Sequence, residues 1–120
     1  MEIKLEQYAK IKHAFPTQRG NVTIENNTFV NALLYICENG CKWRGLPKEY
    51  GSWNAVYKRF RRWVNEGIIE RIFVELSKQK FIETELVVRL LDSMVAPVHP
   101  DACGALKKTV SNLLAAQKAD

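Results

Sequence analysis

Apolar residues recur with the spacing of an amphipathic helix in four stretches of the first 80 residues. These stretches are 5–13, about 29–39, 53–65 and about 68–79. The second is followed by Gly40, a natural helix stop, and the polar residues 16–28 before it predict a loop. The pattern therefore predicts a mainly α-helical domain over residues 1–80.

The third stretch is the clearest, because Ser52 can cap the start of a helix and Gly67 can end one. At about 100° per residue, one face collects apolar and aromatic side chains: Trp53, Val56, Tyr57, Phe60, Trp63 and Val64. The other face collects Asn54, Lys58, Arg61, Arg62 and Asn65, with Arg59 near its edge. We expect the first face to be core. The second offers cations for phosphates and side chains for base edges, and its alternative is a solvated face on a core helix.

The pattern changes at residues 85–92, which read Glu-Leu-Val-Val-Arg-Leu-Leu-Asp. This segment is short, rich in β-branched and aliphatic residues and flanked by charge, which predicts a largely buried strand rather than a helix. A carboxylate at the carboxyl end of such a strand, here Asp92, is placed to face a site. From spacing alone, an ordinary strand-end turn is the stronger interpretation of Asp92.

The net charge of +5 is concentrated between Lys42 and Glu66. This stretch holds seven cations against two acids, so it accounts for the whole excess, and the remaining charges cancel. A localised basic patch is the electrostatic footprint of a polyanion partner, although a solvated charged face has the same composition.

Membrane insertion and secretion do not fit the sequence. The longest unbroken apolar run, Ala32–Cys37, is far shorter than the ~20 residues of a membrane span. Residues 1–15 lack the apolar stretch of a signal peptide, and three cysteines are too few for a secreted disulfide framework. We therefore expect a cytoplasmic protein without a membrane partner.

The cysteines raise the question of zinc, because Cys37 and Cys41 are separated by three residues and the chain also holds His13 and His99. No second pair of ligands stands at a finger-like spacing, so buried or idle reduced thiols are expected instead. The sequence contains neither a phosphate-cradling glycine motif nor a Ser/His/Asp arrangement.

Residues 40–63 read GCKWRGLPKEYGSWNAVYKRFRRW. This segment closely resembles a signature, roughly GCxWRxLPxxYGxWxxVYxRFxRW, in the N-terminal domain of a large class of bacterial insertion-sequence transposases. The resemblance extends upstream through 19–20 and 29–36, and downstream through 67–71, 91–93 and 99–108, so it covers most of the chain.

The resemblance implies a helix-turn-helix-like DNA-binding domain over residues 1–80, followed over 84–108 by the first strand of an incomplete ribonuclease-H-like α/β core. Asp92 matches the first acid of the family's Asp-Asp-Glu triad, whose other two acids are expected beyond residue 120. Asp92 would bind metal only when a full catalytic domain completes the site. Mg²⁺ or Mn²⁺ is expected for the full-length enzyme and no cofactor for this chain, which should be catalytically incomplete alone.

The implied partner is double-stranded DNA at the terminal inverted repeats of the element. The candidate DNA-binding residues are Lys42, Arg44, Asn54, Lys58, Arg59, Arg61, Arg62 and Asn65. The full-length transposase or a second copy of the chain could be further partners. Two functions stay open: the DNA-binding part of a transposase, and a stand-alone regulator that represses transposition by occupying the element ends. An interaction module independent of DNA is a distant third.

The last twelve residues, 109–120, depart from the family pattern, in which Gly-Ala-Leu-Lys-Lys is typically followed by a sequence like NGxQSIGRSxGG. One codon set for residues 108–120, read one base earlier, encodes Asn-Gly-Gln-Gln-Ser-Ile-Gly-Arg-Ser-Lys-Gly-Gly. We therefore interpret the chain as the first reading frame of a two-frame transposase gene, with a −1 shift at Lys107-Lys108 making the full enzyme. The tail would then be functionless and dispensable. An accidental frameshift in a decaying element is the alternative.

Overall fold

The computed structural model describes residues 2–16, 24–40, 42–81 and 83–118. Within these ranges the chain forms helices and no strand. The helices are α1 (Leu5–Ile11), α2 (Asn26–Asn39), α3 (Trp53–Asn65), α4 (Ile68–Lys78), α5 (Thr84–Leu90) and α6 (Pro100–Lys118). Short 3-10 turns follow α1 at Lys12–Ala14 and lie between α2 and α3 at Trp43–Gly45 and Lys48–Tyr50.

The second helix ends as predicted but begins earlier. Gly40 adopts the left-handed conformation, with φ of 62°, and ends α2. At the other end the backbone N–H of Phe29 donates to the carbonyl oxygen of Glu25, so the polar residues 26–28 form the first helical turn. Polar side chains are common in a first turn because its backbone N–H groups face solvent, so the apolar pattern does not mark this start.

The third and fourth helices follow the predicted bounds closely. Ser52 stands before α3, although its hydroxyl makes no capping hydrogen bond. Gly67, with φ of 76°, joins α3 to α4 in a conformation that favours glycine. The inward face of α3 buries Val56, Phe60, Trp63 and Val64. The inward face of α4 buries Ile68, Ile69, Ile72, Phe73 and Leu76.

The prediction of a strand over residues 85–92 is wrong. Thr84–Leu90 forms α5, and Leu91–Val95 continues it as a π-helical turn. A strand needs a neighbouring strand to satisfy its backbone N–H and C=O groups, whereas a helix satisfies them within the segment. The apolar positions Leu86, Val87, Leu90, Leu91 and Met94 also fit helical spacing, and in the structure all five are buried.

The last helix runs through the point at which the family pattern stops. α6 continues without a break past Lys108, and Val110 is only 1 % exposed. The buried residues of α5 and α6 belong to the same apolar cluster as those of α2, α3 and α4. The expectation that residues 109–120 are dispensable therefore needs correction at Val110, which is a core residue. The proposed division at residues 80 and 84 stays a prediction.

We expect Val110→Ala to lower the free energy of unfolding by about 1–2 kcal/mol, since it removes two buried carbon groups worth about 0.8 kcal/mol each. Ser111→Ala, at an exposed neighbouring position, is the matched control and should leave stability unchanged. A chain ending at Lys108 should be destabilised at least as much as Val110→Ala. Urea unfolding measures all three, and equal stability of the shortened and complete chains would contradict a core role for Val110.

Candidate nucleic-acid interface

The outward face of α3 forms an exposed polar strip. Its members are Asn54, Lys58, Arg61, Arg62 and Asn65, and every one of them is exposed. At a rise of 1.5 Å per residue, this strip is about 16 Å long. The opposite face of the same helix is buried in the core, so the helix is firmly anchored while it presents the strip to solvent.

The cations of the polar strip are not neutralised within the part of the chain that the structure describes. There, the ion pairs with an acid join His13 and Lys78 to Glu75 and Lys107 to Asp92. No described carboxylate lies within 4.0 Å of a strip cation. The strip therefore retains its positive field for an external anion.

Arg59 does not belong to this strip, although the sequence placed it among the candidate DNA contacts. Its Nη1 donates to the carbonyl oxygen of Ile24 at 2.9 Å. Its guanidinium lies over the rings of Phe29, at 5.4 Å, and Trp63, at 5.5 Å. Burial, with a smaller contribution from the charge of Arg62, lowers the pKa of Arg59. The structure thus places Arg59 as a tie between α3 and the start of α2.

Ile24 also lies beside the entry to α3. Gly51, just before the helix, has φ of 98°, a conformation that favours glycine. A Cβ built there would lie 2.9 Å from the Cδ1 atom of Ile24, so a larger residue would also displace that side chain. Ile24 is thus close both to the residue before α3 and, through its carbonyl oxygen, to Arg59.

The turn at Trp43–Gly45 packs beside α3 and brings a second group of cations to it. The Trp43 ring lies 5.1 Å from the ring of Tyr57 and 5.3 Å from that of Phe60. Arg44 places its guanidinium 5.4 Å from the centre of the Trp53 ring. Exposed Lys42 and Arg44 thus stand on the segment that packs against α3.

Two aromatic residues that the sequence assigned to the core are only partly buried, and one of them contacts an exposed arginine. Phe60 and Trp63 are fully buried, as expected, but Trp53 and Tyr57 are only partly buried. The guanidinium of Arg61 lies 5.9 Å from the centre of the Tyr57 ring. The four-residue spacing between Tyr57 and Arg61 is a signal that could have revealed this pair.

Asp92 lies on the exposed side of the π-helical turn, where it forms an ion pair with Lys107. The hydrogen bond to Asp92 raises the pKa of Lys107. Among the described residues, no three His, Cys, Asp or Glu side chains come together in a way that could hold a metal ion. Within the described part of the chain, the surroundings of Asp92 therefore do not fit a divalent-metal site.

The thiols of Cys37 and Cys103 are buried. Their sulfur atoms donate to the carbonyl oxygens of Leu86 and Leu91, respectively. Burial raises the pKa of both thiols, so they stay protonated and are poor metal ligands. Cys41, the third cysteine of the sequence, lies outside the described residues.

The histidines named with these cysteines have other contacts. His13 lies 3.4 Å from a carboxylate oxygen of Glu75. His99 accepts a hydrogen bond at Nδ1 from the backbone N–H of Ala102, 3.1 Å away, at the start of α6.

No described helix combines the length and the apolar composition that crossing a membrane requires.

Sequence comparison identifies the class to which this chain belongs. Residues 3–73, more than half of the chain, match the profile of the family described as "Putative transposase of IS4/5 family (DUF4096)". The chain therefore belongs to this transposase family, and the predicted resemblance to bacterial insertion-sequence transposases is confirmed.

Two individual proteins are similar in sequence to this chain. It is 31% identical over 104 residues to "Uncharacterized protein y4sN" of Sinorhizobium fredii (strain NBRC 101917 / NGR234), covering 83% of this chain and 79% of that protein. It is 29% identical over 55 residues to "Insertion element IS402 uncharacterized 16.2 kDa protein" of Burkholderia cepacia, covering 44% of this chain and 37% of that protein. No solved structure matches the chain.

Arg59 and Arg62 should contribute differently to the stability of the folded chain. Arg59→Ala should lower the free energy of unfolding by about 1–3 kcal/mol, because it removes two cation–π contacts and leaves the Ile24 carbonyl oxygen without its donor. Arg62→Ala, on the exposed strip, should change stability by less than about 0.5 kcal/mol. Chemical denaturation of the two variants measures the difference, and equal stabilities would contradict the inward role of Arg59.

Proposed function

We propose that this chain is the DNA-recognition part of an insertion-element transposase and that it binds double-stranded DNA at the element ends. The observation that carries this proposal is the polar strip of α3, whose cations have no described acidic partner and whose helix is anchored by a buried face. Membership of a transposase family supports this proposal. Such an enzyme must find the terminal inverted repeats of its element, so these repeats are the proposed DNA.

The strip has the chemistry that reading a duplex requires. An α-helix fits the major groove of B-form DNA, which is about 12 Å wide. Asn54 and Asn65 can pair with the donor and acceptor atoms of adenine, while Lys58 and Arg62 suit phosphate oxygens. Residues 40–52, between α2 and α3, exceed the three or four residues of a standard helix-turn-helix turn. The proposed binding unit is therefore helix-turn-helix-like.

Catalysis is not proposed for this chain alone. Asp92, which the family resemblance matches to the first acid of the triad, is paired with Lys107 instead of with further carboxylates. Strand cleavage and joining, and the Mg²⁺ or Mn²⁺ that would support them, are assigned in this proposal to a complete catalytic domain.

A stand-alone regulator of transposition is the second candidate, and one observation favours it. An isolated apolar strand at 85–92 would have been an exposed edge and an association hazard. The segment is instead helical, and its apolar side chains are buried in the same cluster as α2, α3 and α4. Such a chain can fold without a catalytic domain, occupy element ends without cutting them and thereby compete with the complete enzyme.

Replacing Lys58, Arg61 and Arg62 together with alanine should weaken binding to a duplex carrying the element end. If all three contact phosphates, the slope of log affinity against log salt should fall by about 2.7, at about 0.9 per phosphate. Fluorescence anisotropy at several salt concentrations measures both quantities. The control replaces Lys10, Lys80 and Lys108, exposed cations outside α3, and so makes the same change in net charge. An unchanged affinity and slope in a folded strip variant would rule out α3 as the DNA surface.

The purified chain, supplied with Mg²⁺ or Mn²⁺, should neither nick nor join DNA carrying the element ends, because Asp92 has no companion acids among the described residues. A gel assay of labelled duplex is the measurement, with Asp92→Ala as the paired variant. Metal-dependent cleavage that disappears in Asp92→Ala would refute this prediction.

A further inference from the structure

We infer that Trp53 and Tyr57 are DNA-positioning residues, whose rings hold the guanidinium groups of Arg44 and Arg61 in place for two backbone phosphates. This inference rests on the proposed function and deepens it, because it divides the cations of the interface into a fixed pair and a mobile set. It also assigns a role to the exposed parts of the Trp53 and Tyr57 rings.

The four residues lie along one flank of α3. Trp53, Tyr57 and Arg61 follow one another at four-residue intervals, so they form a row with steps of about 6 Å along the helix axis. Arg44 reaches this row from the neighbouring turn and lies over Trp53 at 5.4 Å, while Arg61 lies over Tyr57 at 5.9 Å. Each arginine is thus attached to one ring.

An arginine that lies over a ring can still bind phosphate. The guanidinium carries five N–H donors, and a ring on one side of the group does not occupy all of them. Arg44 and Arg61 can therefore still donate hydrogen bonds to phosphate oxygens. Both Arg44 and Arg61 are exposed, and neither forms an ion pair with a described acid.

Arg59 shows the contrasting arrangement on the same helix. It lies over two rings and donates to a backbone carbonyl, and it is partly buried. Its contacts are therefore used within the protein, whereas Arg44 and Arg61 are exposed side chains, each lying over one ring. Lys58 and Arg62 lie over no ring among the described residues and must lose more side-chain freedom when they bind.

The same rings could instead stack on unpaired bases, which is how proteins often hold single strands. The observed contacts favour the phosphate assignment, because Arg44 and Arg61 already lie over Trp53 and Tyr57. Trp43 also packs against Tyr57, at 5.1 Å between ring centres. Duplex DNA is therefore the expected ligand, and preferential binding of a single-stranded oligonucleotide through these rings is an outcome that would overturn the inference.

The first test removes each ring and keeps a matched ring control. Tyr57→Leu and Trp53→Leu should each weaken binding to the element-end duplex by about 3–10-fold, the effect of releasing one arginine side chain. Tyr57→Phe and Trp53→Phe, which keep an aromatic face, should bind close to the parent chain. Fluorescence anisotropy measures affinity, and circular dichroism establishes that each variant is folded. Leucine variants that bind as well as the phenylalanine variants would overturn the inference.

A double-mutant cycle separates positioning from general stability. In an Arg61→Ala background, Tyr57→Leu should cause no further loss of duplex affinity, because the arginine that the ring positions is already absent. In an Arg44→Ala background, the same Tyr57→Leu change should still cause its full loss. If the effect of Tyr57→Leu is the same in both backgrounds, or if it falls mainly on single-stranded binding, the ring does not act through Arg61 and the inference fails.

A variant that leaves the rings untouched covers the case in which a leucine variant does not fold. Arg61→Lys and Arg44→Lys keep the charge but lose the planar, stacked donor group, so duplex affinity should fall as it does on ring removal. Lysine variants that bind like the parent would overturn the inference.

A parent chain that binds no duplex would refute the proposed function together with this inference. Loss of binding in the Lys58, Arg61 and Arg62 triple variant, but not in the ring or lysine variants, would refute this inference alone.

Discussion

The burial of Trp63 is the contact on which the arrangement of the interface depends. Its indole packs edge-on against Phe29 of α2, at 4.9 Å between ring centres, and against Phe15 after α1, at 6.1 Å. Arg59 covers the same ring and ties it to the backbone before α2. Because a large ring in one rotamer fixes the rotation of its helix, these contacts determine which residues of α3 face solvent.

The sequence was sufficient to predict α3 and α4, because the local helical preferences of these segments agree with their tertiary packing. Each has an apolar face with helical period, and Gly67 supplies the left-handed residue that separates them. Residues 85–92 were misassigned because a dense apolar run satisfies strand and helix patterns alike. The choice depends on the partners available for the backbone, and in the described chain the segment packs on α2 and α4 as a helix.

The exposed strip could be predicted from charge and helical period, since Lys58, Arg61 and Arg62 lie opposite the apolar face. Arg59 could not be assigned in this way, because it stands at the edge of the wheel and two of its partners, Ile24 and Phe29, come from a distant part of the chain. The contact of Arg44 with Trp53 was hidden for the same reason: it joins a turn to a helix, and no sequence periodicity connects the two. Residues local to one helix were thus predictable, whereas contacts between segments required the fold.

The shared core of α2–α6 has a consequence for the lifetime of the chain. Helices that bury their apolar faces in one cluster expose part of their neighbours' apolar surface when one of them opens, which raises the free energy of local opening. A duplex that binds α3 would stabilise the folded state as a whole by mass action and reduce the population that proteases attack. Copies bound to a duplex would therefore be degraded more slowly than free copies.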